Sequence, residues 1–405
     1  MQKDSVKVAV NGACVSIESL YKTHKLTLRL SGRSDDGQLV LKTAGKAKVT
    51  LDGLTLTSQE GAPLWLKNKK KVEVKAVKGT VNTLTVTACT DTASHKGAVI
   101  WAKDKLLLSG KGVLNLVATG DGCRGLKTQK DITIEELTLN VTTSGNNLGE
   151  KPFGFGGFPG FGNDSTGFGG KHKYYASAKG IASKGKITID SGHVTVRTAT
   201  AGAEGIEGKQ GIVFNGGTVD VLSPDDAINA NAAIEFNGAH VTAHSLGNDA
   251  VDANPAGGFF PPFGGGNEQK IEPVIIIRGG TVYAWSQVGP PEEGLDSDMA
   301  PLAIEGGTVF YVGGSIGDAP SVPTNEIAKQ PTVLLSNLNI IKGEPVNILD
   351  ADGHPIHSVS IHFSFRGSAT LVSCPAFKTG STYKIENGND EKTFTLSEPF
   401  TVVRM

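Results

Sequence analysis

A six-residue motif that returns four times constrains this chain more than any other feature. It reads Glu204-Gly-Ile-Glu207-Gly-Lys209, Asp226-Ala-Ile-Asn229-Ala-Asn231, Asp249-Ala-Val-Asp252-Ala-Asn254 and Glu293-Gly-Leu-Asp296-Ser-Asp298. The order is acid, small, aliphatic, acid or amide, small, polar. Starts at 204, 226, 249 and 293 leave intervals of 22, 23 and 44 residues, the last lengthened by a Gly/Pro/Phe-rich stretch at 255–266. A period in the low twenties, with short strand patterns between the motifs, predicts a solenoid, because ~20–25 residues suits one turn of a parallel β-helix. Equivalent residues of successive turns then stack, and the motif reads as a recurring corner.

Stacking has an electrostatic consequence. Strands of neighbouring turns lie ~4.8 Å apart, so the repeated acids become ladders of carboxylates at about that separation. Each such pair costs on the order of 1 kcal/mol even in a water-like dielectric, unless a cation or a proton intervenes. Calcium is the expected occupant, since it takes six to eight oxygens from Asp, Glu, Asn and backbone carbonyls. The candidate ligands are Glu204, Glu207, Asp225, Asp226, Asn229, Asn248, Asp249, Asp252, Glu292, Glu293, Asp296 and Asp298. The ordinary alternative is a row of solvated turns whose charges serve solubility.

Aligned on the aliphatic position, the outward column reads Trp65, Trp101, Lys127, Ala182, Glu207, Asn229, Asp252 and Asp296. Two residues later comes Lys67, Lys103, Gln129, Lys184, Lys209, Asn231, Asn254 and Asp298. The residue before the small position follows suit, with Arg124 and Lys179 giving way to Glu204, Asp226, Asp249 and Glu293. The face thus passes from aromatic and basic to acidic along the axis. Charges placed only for solubility have no reason to segregate in this way.

Composition bounds the remaining possibilities. Among 405 residues, 53 Gly and 18 Pro argue against a helical protein, while 38% hydrophobic content is enough for a core. A formal charge of −1 excludes a generally basic nucleic-acid binder. No stretch reaches the ~20 apolar residues of a membrane span, and Met1-Gln2-Lys3-Asp4 is not followed by a signal-peptide core. Either the protein is cytosolic or an export signal has been removed. Cys14, Cys89, Cys123 and Cys374 form no CxxC pair and no zinc spacing, so four buried thiols are expected.

In domain terms, residues 1–44 are expected to supply N-terminal strands that cap the solenoid, 45–315 the solenoid, and 331–405 a β-rich C-terminal domain of antiparallel strands. A terminal turn leaves unpaired backbone groups and a hydrophobic end, which such a cap covers. Two Gly/Phe-rich insertions, 146–178 and 255–266, leave near the acidic corner. Insertions on one face often form the binding side of a solenoid, although such segments also serve as edge covers or linkers. Asp350-Ala-Asp352-Gly353 starts like an EF-hand loop, but Ile361 stands where position twelve requires Glu, so a hairpin turn is expected.

Several stretches resemble a known family. They are Val49–Leu56, Lys103–Leu116, the Gly-Gly-Thr-Val runs at 216–219, 279–282 and 306–309, and Ser373-Cys-Pro375 with Lys378-Thr-Gly380 and Tyr383. In these the chain resembles the bacterial secreted carbohydrate-binding domain-containing proteins, over nearly its whole length. That resemblance implies an all-β, right-handed parallel β-helix, similar in fold to family 9 polysaccharide lyases, that binds calcium and acidic plant polysaccharides such as pectin. It also implies a secreted, cell-surface or periplasmic location. The family's Asp-Asp-Gly-Ile-x-x-Asp corners match Asp225, Asp226 and Asn229, then Asn248, Asp249 and Asp252, then Glu292, Glu293 and Asp296. The pattern is departed from at Gly120–Arg124 and Ala178-Lys179, which places the calcium sites in the later turns.

The expected function is therefore calcium-dependent binding of an acidic polysaccharide by a monomer. Arg124, Lys127, Lys179, Lys184 and Lys209 would pair with further carboxylates of the glycan. One alternative is a polysaccharide lyase, with calcium acidifying the proton alpha to a uronate carboxylate and Lys209 as base, although nearby anions raise a lysine's pKa and oppose that role. Another is a surface adhesin or structural protein in which calcium only holds the solenoid together.

Overall fold

The structure is a computed structural model that describes residues 6–89, 97–150, 174–255, 272–298, 300–314, 321–388 and 390–405. Every regular element among them is a strand, as expected of an all-β chain. From residue 64 onward most repeats supply three strands, each pairing in parallel with its counterpart in the next repeat. The repeat at 204–223, for example, gives Ile206–Gly208, Ile212–Phe214 and Thr218–Ser223, which pair with Ile228–Ala230, Ile234–Phe236 and His240–Ser245. Three columns of parallel strands result.

Alternation decides which side chains enter the core. In the first column Leu64, Ile100, Leu126, Ile181, Ile206, Ile228, Val251 and Leu295 follow one another in register, and all are fully buried. The second column stacks Val72, Leu106, Ile132, Ile187, Ile212, Ile234 and Ile275 in the same way. Phe214 and Phe236 lie face to face with centroids 5.0 Å apart. The small position before the aliphatic residue has a steric cause. A Cβ on Gly205 would meet Val221 Cγ1 at 2.3 Å and the Ala227 carbonyl at 2.5 Å.

Some expectations are revised. The motif read as a corner is a short strand, with its leading acid in the turn just before it. Parallel pairing begins earlier than residue 45, since Cys14–Ser19 pairs with Gln38–Thr43 and Leu26–Ser34 with Ala47–Ser58. These first strands already alternate strongly enough to join the columns. Of the cysteines, only Cys123 and Cys374 are buried, while Cys14 is exposed and Cys89 half-buried. The bases of the first insertion meet as an antiparallel pair, Leu148–Glu150 with Tyr174–Ala176. Most of both insertions lies outside the described residues.

At the C-terminal end Phe365–Ser373 pairs antiparallel with Thr308–Gly313, the last strand of its column, and so occupies its open edge. Thr332–Ile340 continues the sheet and, against the expectation of purely antiparallel strands, takes Phe400–Arg404 in parallel. A separate four-stranded antiparallel sheet closes a second core around Trp285, Phe310, Ile348, Phe363 and Tyr383. Asp350–Gly353 forms the hairpin turn between two of its strands, Pro345–Leu349 and Pro355–Ser360.

Candidate metal centre and ligand-binding face

The outward residues of the first column stand in the order read from the alignment. Trp65, Trp101, Lys127, Ala182, Glu207, Asn229, Asp252 and Asp296 are successive register partners. Backbone bonds carry the leading acids along with them, as when Ala227 N–H donates to the Asp249 carbonyl and Ala250 N–H to that of Glu293. Solvated turns would leave these acids in water. Instead Asp226, Asp249 and Asp252 are 1%, 2% and 0% exposed.

Those three carboxylates form the centre of the site, each offering an oxygen within 4.8 Å of the others. Asn229 Nδ2 donates to Asp226 Oδ2 at 2.8 Å and to Asp252 Oδ2 at 2.9 Å, and Asn254 Nδ2 donates to the same Asp252 oxygen at 2.5 Å. Glu293 N–H donates to Asp249 Oδ1 at 2.6 Å. Burial, then the charges of Asp296, Asp226, Asp252 and Glu292, push the Asp249 carboxyl well above the usual carboxylate range. At 4.8 Å and an effective dielectric of ~20, each ionised pair repels by about 3.5 kcal/mol. Two amide donors soften that repulsion without removing it. The donor set of three buried carboxylates fits a hard, oxygen-seeking cation.

The other sequence candidates divide into distinct environments. Asp225 Oδ1 accepts from Asn248 Nδ2 at 2.8 Å, while Ser223 and Ser245 hydroxyls donate to the Asp225 carbonyl and so hold the turn beside the cluster. Glu204 and Glu207 are engaged by Lys179, whose Nζ lies 2.8 Å from each, and Lys209 Nζ is 2.5 Å from Glu207. Burial opposes ionisation of Glu207, but Lys179 and Lys209 outweigh it and lower the carboxyl to about 2. Glu293 turns its carboxylate to Ser321 N–H at 2.8 Å, and burial followed by the Asp296 charge pushes it up to about 8. Asp296 Oδ1 accepts from the backbone of Asp298, which is exposed.

The expected cationic face is rearranged as well. Lys179 and Lys209 are already ion-paired, Lys184 is exposed, and Arg124 and Lys127 are largely withdrawn from solvent. Lys127 is 7% exposed, and burial, then Arg124 and Lys184, lower its ammonium to about 7. Two features escaped the sequence reading. Asn254 was placed in the polar column, yet its amide reaches back to Asp252. Lys127 reads from the sequence as a surface cation, whereas in the structure it is buried between the strands that carry Trp101 and Ala182.

Comparison with known proteins was made against this geometry. A family model for carbohydrate-binding domain-containing protein matches residues 11–151 and 167–250, more than half of the chain. A curated protein of Acetivibrio thermocellus described in the same words is 28% identical over 138 residues, 33% of this chain and 48% of that protein. The chain thus aligns with about half the length of that relative. Among solved structures, the polysaccharide lyase-like protein from C. thermocellum, as its gadolinium derivative, aligns with 62% of this chain and 90% of its own at 21% identity, with a TM-score of 0.41.

Proposed function

Because the chain belongs to the carbohydrate-binding domain-containing protein family, we propose that it binds an acidic, polyuronate-type polysaccharide through calcium held at Asp226, Asp249 and Asp252. The observation that carries the calcium reading is the buried trio itself, whose mutual repulsion a divalent cation relieves. Such an ion supplies charge that a uronate carboxylate completes. The column then offers an extended track for the polymer. On this reading the three strand columns are the faces of a right-handed parallel β-helix, the protein acts as a monomer, and it works outside the cytoplasm.

A lyase reading finds support in Lys127, since an amine that loses its proton near neutrality suits a base. Lys209, the earlier candidate, is tied to Glu207. Distance supports binding over turnover by Lys127. Lys127 and Asn229 are three register steps apart, through Ala182 and Glu207, which at ~4.8 Å per step is about 14 Å. A base must lie within about 3 Å of its proton, so Lys127 does not serve a carbon activated at the acidic cluster. Binding without turnover is the reading the geometry favours.

Calorimetric titration of polygalacturonate into the protein, with calcium and then with chelator, tests this proposal. Binding that needs calcium, with no unsaturated product released, is the expected result. Equal binding in chelator would remove the calcium requirement, and no binding in either condition would remove the polyuronate. Calcium stabilisation without any glycan binding would leave the structural-protein reading.

A further inference from the structure

The same outward column has a second built feature, five strands before Asp252 and outside the acidic cluster. Trp65 and Trp101 are register partners whose rings meet edge to face, 6.5 Å apart at 82°. Together with Lys42, Lys67, Lys69 and Lys103 they line a cavity of about 300 Å³. Among the described residues no carboxylate belongs to the lining, although Glu18 reaches Lys42 from the adjoining strand at 2.7 Å. Lys67 Nζ stands 3.5 Å over the Trp65 ring.

Each part of this arrangement points to a ligand. Lys42 and Lys67 are direct register partners, so two ammonium-bearing side chains leave neighbouring strands side by side. Both tryptophans are only half-buried, and an aromatic wall facing a cavity usually receives an apolar surface. A pyranose presents such a surface through its C–H groups, and a uronate adds the anion. At about 300 Å³ the cavity lies at the lower end of the range for ligand pockets.

We propose that the Trp65–Trp101 groove is a calcium-independent subsite for uronate residues, in which the tryptophans take the sugar face and Lys42, Lys67, Lys69 and Lys103 take its carboxylate. This rests on the reading of the chain as a binder of acidic polysaccharide, and adds to it a place where the polymer docks without metal. Aromatic rings among lysines also suit single-stranded nucleic acid. The chain's membership of a carbohydrate-binding family favours the sugar over that occupant. The chain's net charge of −1 also gives nucleic acid no general attraction.

Digalacturonate is a suitable probe, being far too short to span the four register steps, about 19 Å, from Trp101 to Asn229. Tryptophan fluorescence reads the groove directly, since the remaining tryptophan, Trp285, lies in the C-terminal core. The full chain in low salt with chelator should show a saturable fluorescence change on titration. Trp101→Ala and the surface double variant Lys67→Ala/Lys103→Ala should each weaken binding about tenfold. Trp101→Phe should retain most of it.

Trp101→Ala and Lys67→Ala/Lys103→Ala variants that both bind digalacturonate as tightly as the parent would overturn the groove while leaving calcium-dependent polymer binding intact. If the parent binds neither digalacturonate nor polygalacturonate, the underlying reading falls and the subsite with it. Equal affinity for cellobiose overturns the role of the lysines, and tighter binding of a short single-stranded DNA overturns the sugar. The double variant keeps the test open should Trp101→Ala fail to fold.

Discussion

Replacing Asp249 by Asn should have opposite effects on stability with and without calcium. Without metal, three carboxylates lie within 4.8 Å of one another, and two of the three repulsive pairs involve Asp249. At about 3.5 kcal/mol per pair at that separation, neutralising it would relieve about 7 kcal/mol if all three carboxylates were ionised. The parent avoids much of that repulsion by keeping a proton on Asp249, whose carboxyl burial and neighbouring charges raise well above the usual range. Asn keeps the acceptor for Glu293 N–H, so little hydrogen bonding is lost. A net gain on the order of 2 kcal/mol is therefore expected in chelator at pH 8. The gain should grow with pH, because a carboxyl with a raised folded pKa stabilises the fold below its unfolded pKa and loses that contribution as pH climbs through the folded value. In calcium the order should invert. The parent gains about 2.7 kcal/mol at a hundredfold excess over Kd, and the variant lacks one ligand. Urea midpoints at pH 6 and pH 8, in chelator and in calcium, measure all four combinations. Equal destabilisation by Asp249→Asn in both conditions would refute the argument and make the trio an ordinary hydrogen-bonded cluster.

Three further outcomes follow from particular side chains. The unfolded chain holds a proton on Lys127 between pH 7 and 10.5 that the folded chain releases, so stability rises with pH across that window; Lys127→Met should stabilise at pH 6 by up to about 5 kcal/mol and hardly at all at pH 10.5, as read from denaturation midpoints. Lys179→Ala leaves Glu204 and Glu207 buried without their shared cation and should cost about 3–5 kcal/mol, with Lys179→Arg recovering part of the loss in the same measurement. Gly205→Ala drives a Cβ into Val221 and the Ala227 carbonyl and should cost about 1–3 kcal/mol; an unchanged melting temperature would show that the strand spacing yields at that point.

Much of the architecture was legible because strand stacking converts a linear period into a spatial column. The intervals of 22 and 23 residues placed Glu207, Asn229 and Asp252 in one line before any coordinates, and the register bears that line out from Trp65 to Asp296. The candidate site was legible only in part. The alignment named Asp226, Asp249 and Asp252 among twelve candidates, and the family resemblance narrowed these to nine in the later repeats without showing which are buried together. Lys179 and Lys209 neutralise the acids one repeat earlier, and Ser321, from beyond the last repeat, takes the Glu293 carboxylate one repeat later. Lys209 stands in the motif itself, but Lys179 and Ser321 do not, since one depends on side-chain reach from the preceding repeat and the other on where the chain returns after 314.

What the amino-acid order determined by itself was periodic: alternation assigned residues to the inside or outside of a strand, and the repeat length assigned them to a column. Only the tertiary structure decided the electrostatic state of each residue in that column, because burial depends on what neighbouring turns leave uncovered. Lys127 and Lys184 look alike as charges in the chain, yet one is withdrawn from water and lowered to about 7 while the other stands exposed. Asp252 and Asp298 differ in the same way, the first wholly buried and the second in solvent. Pattern is a property of spacing along the backbone, whereas a pKa is set by the solvent and charges around a side chain, and those are settled only when the turns stack.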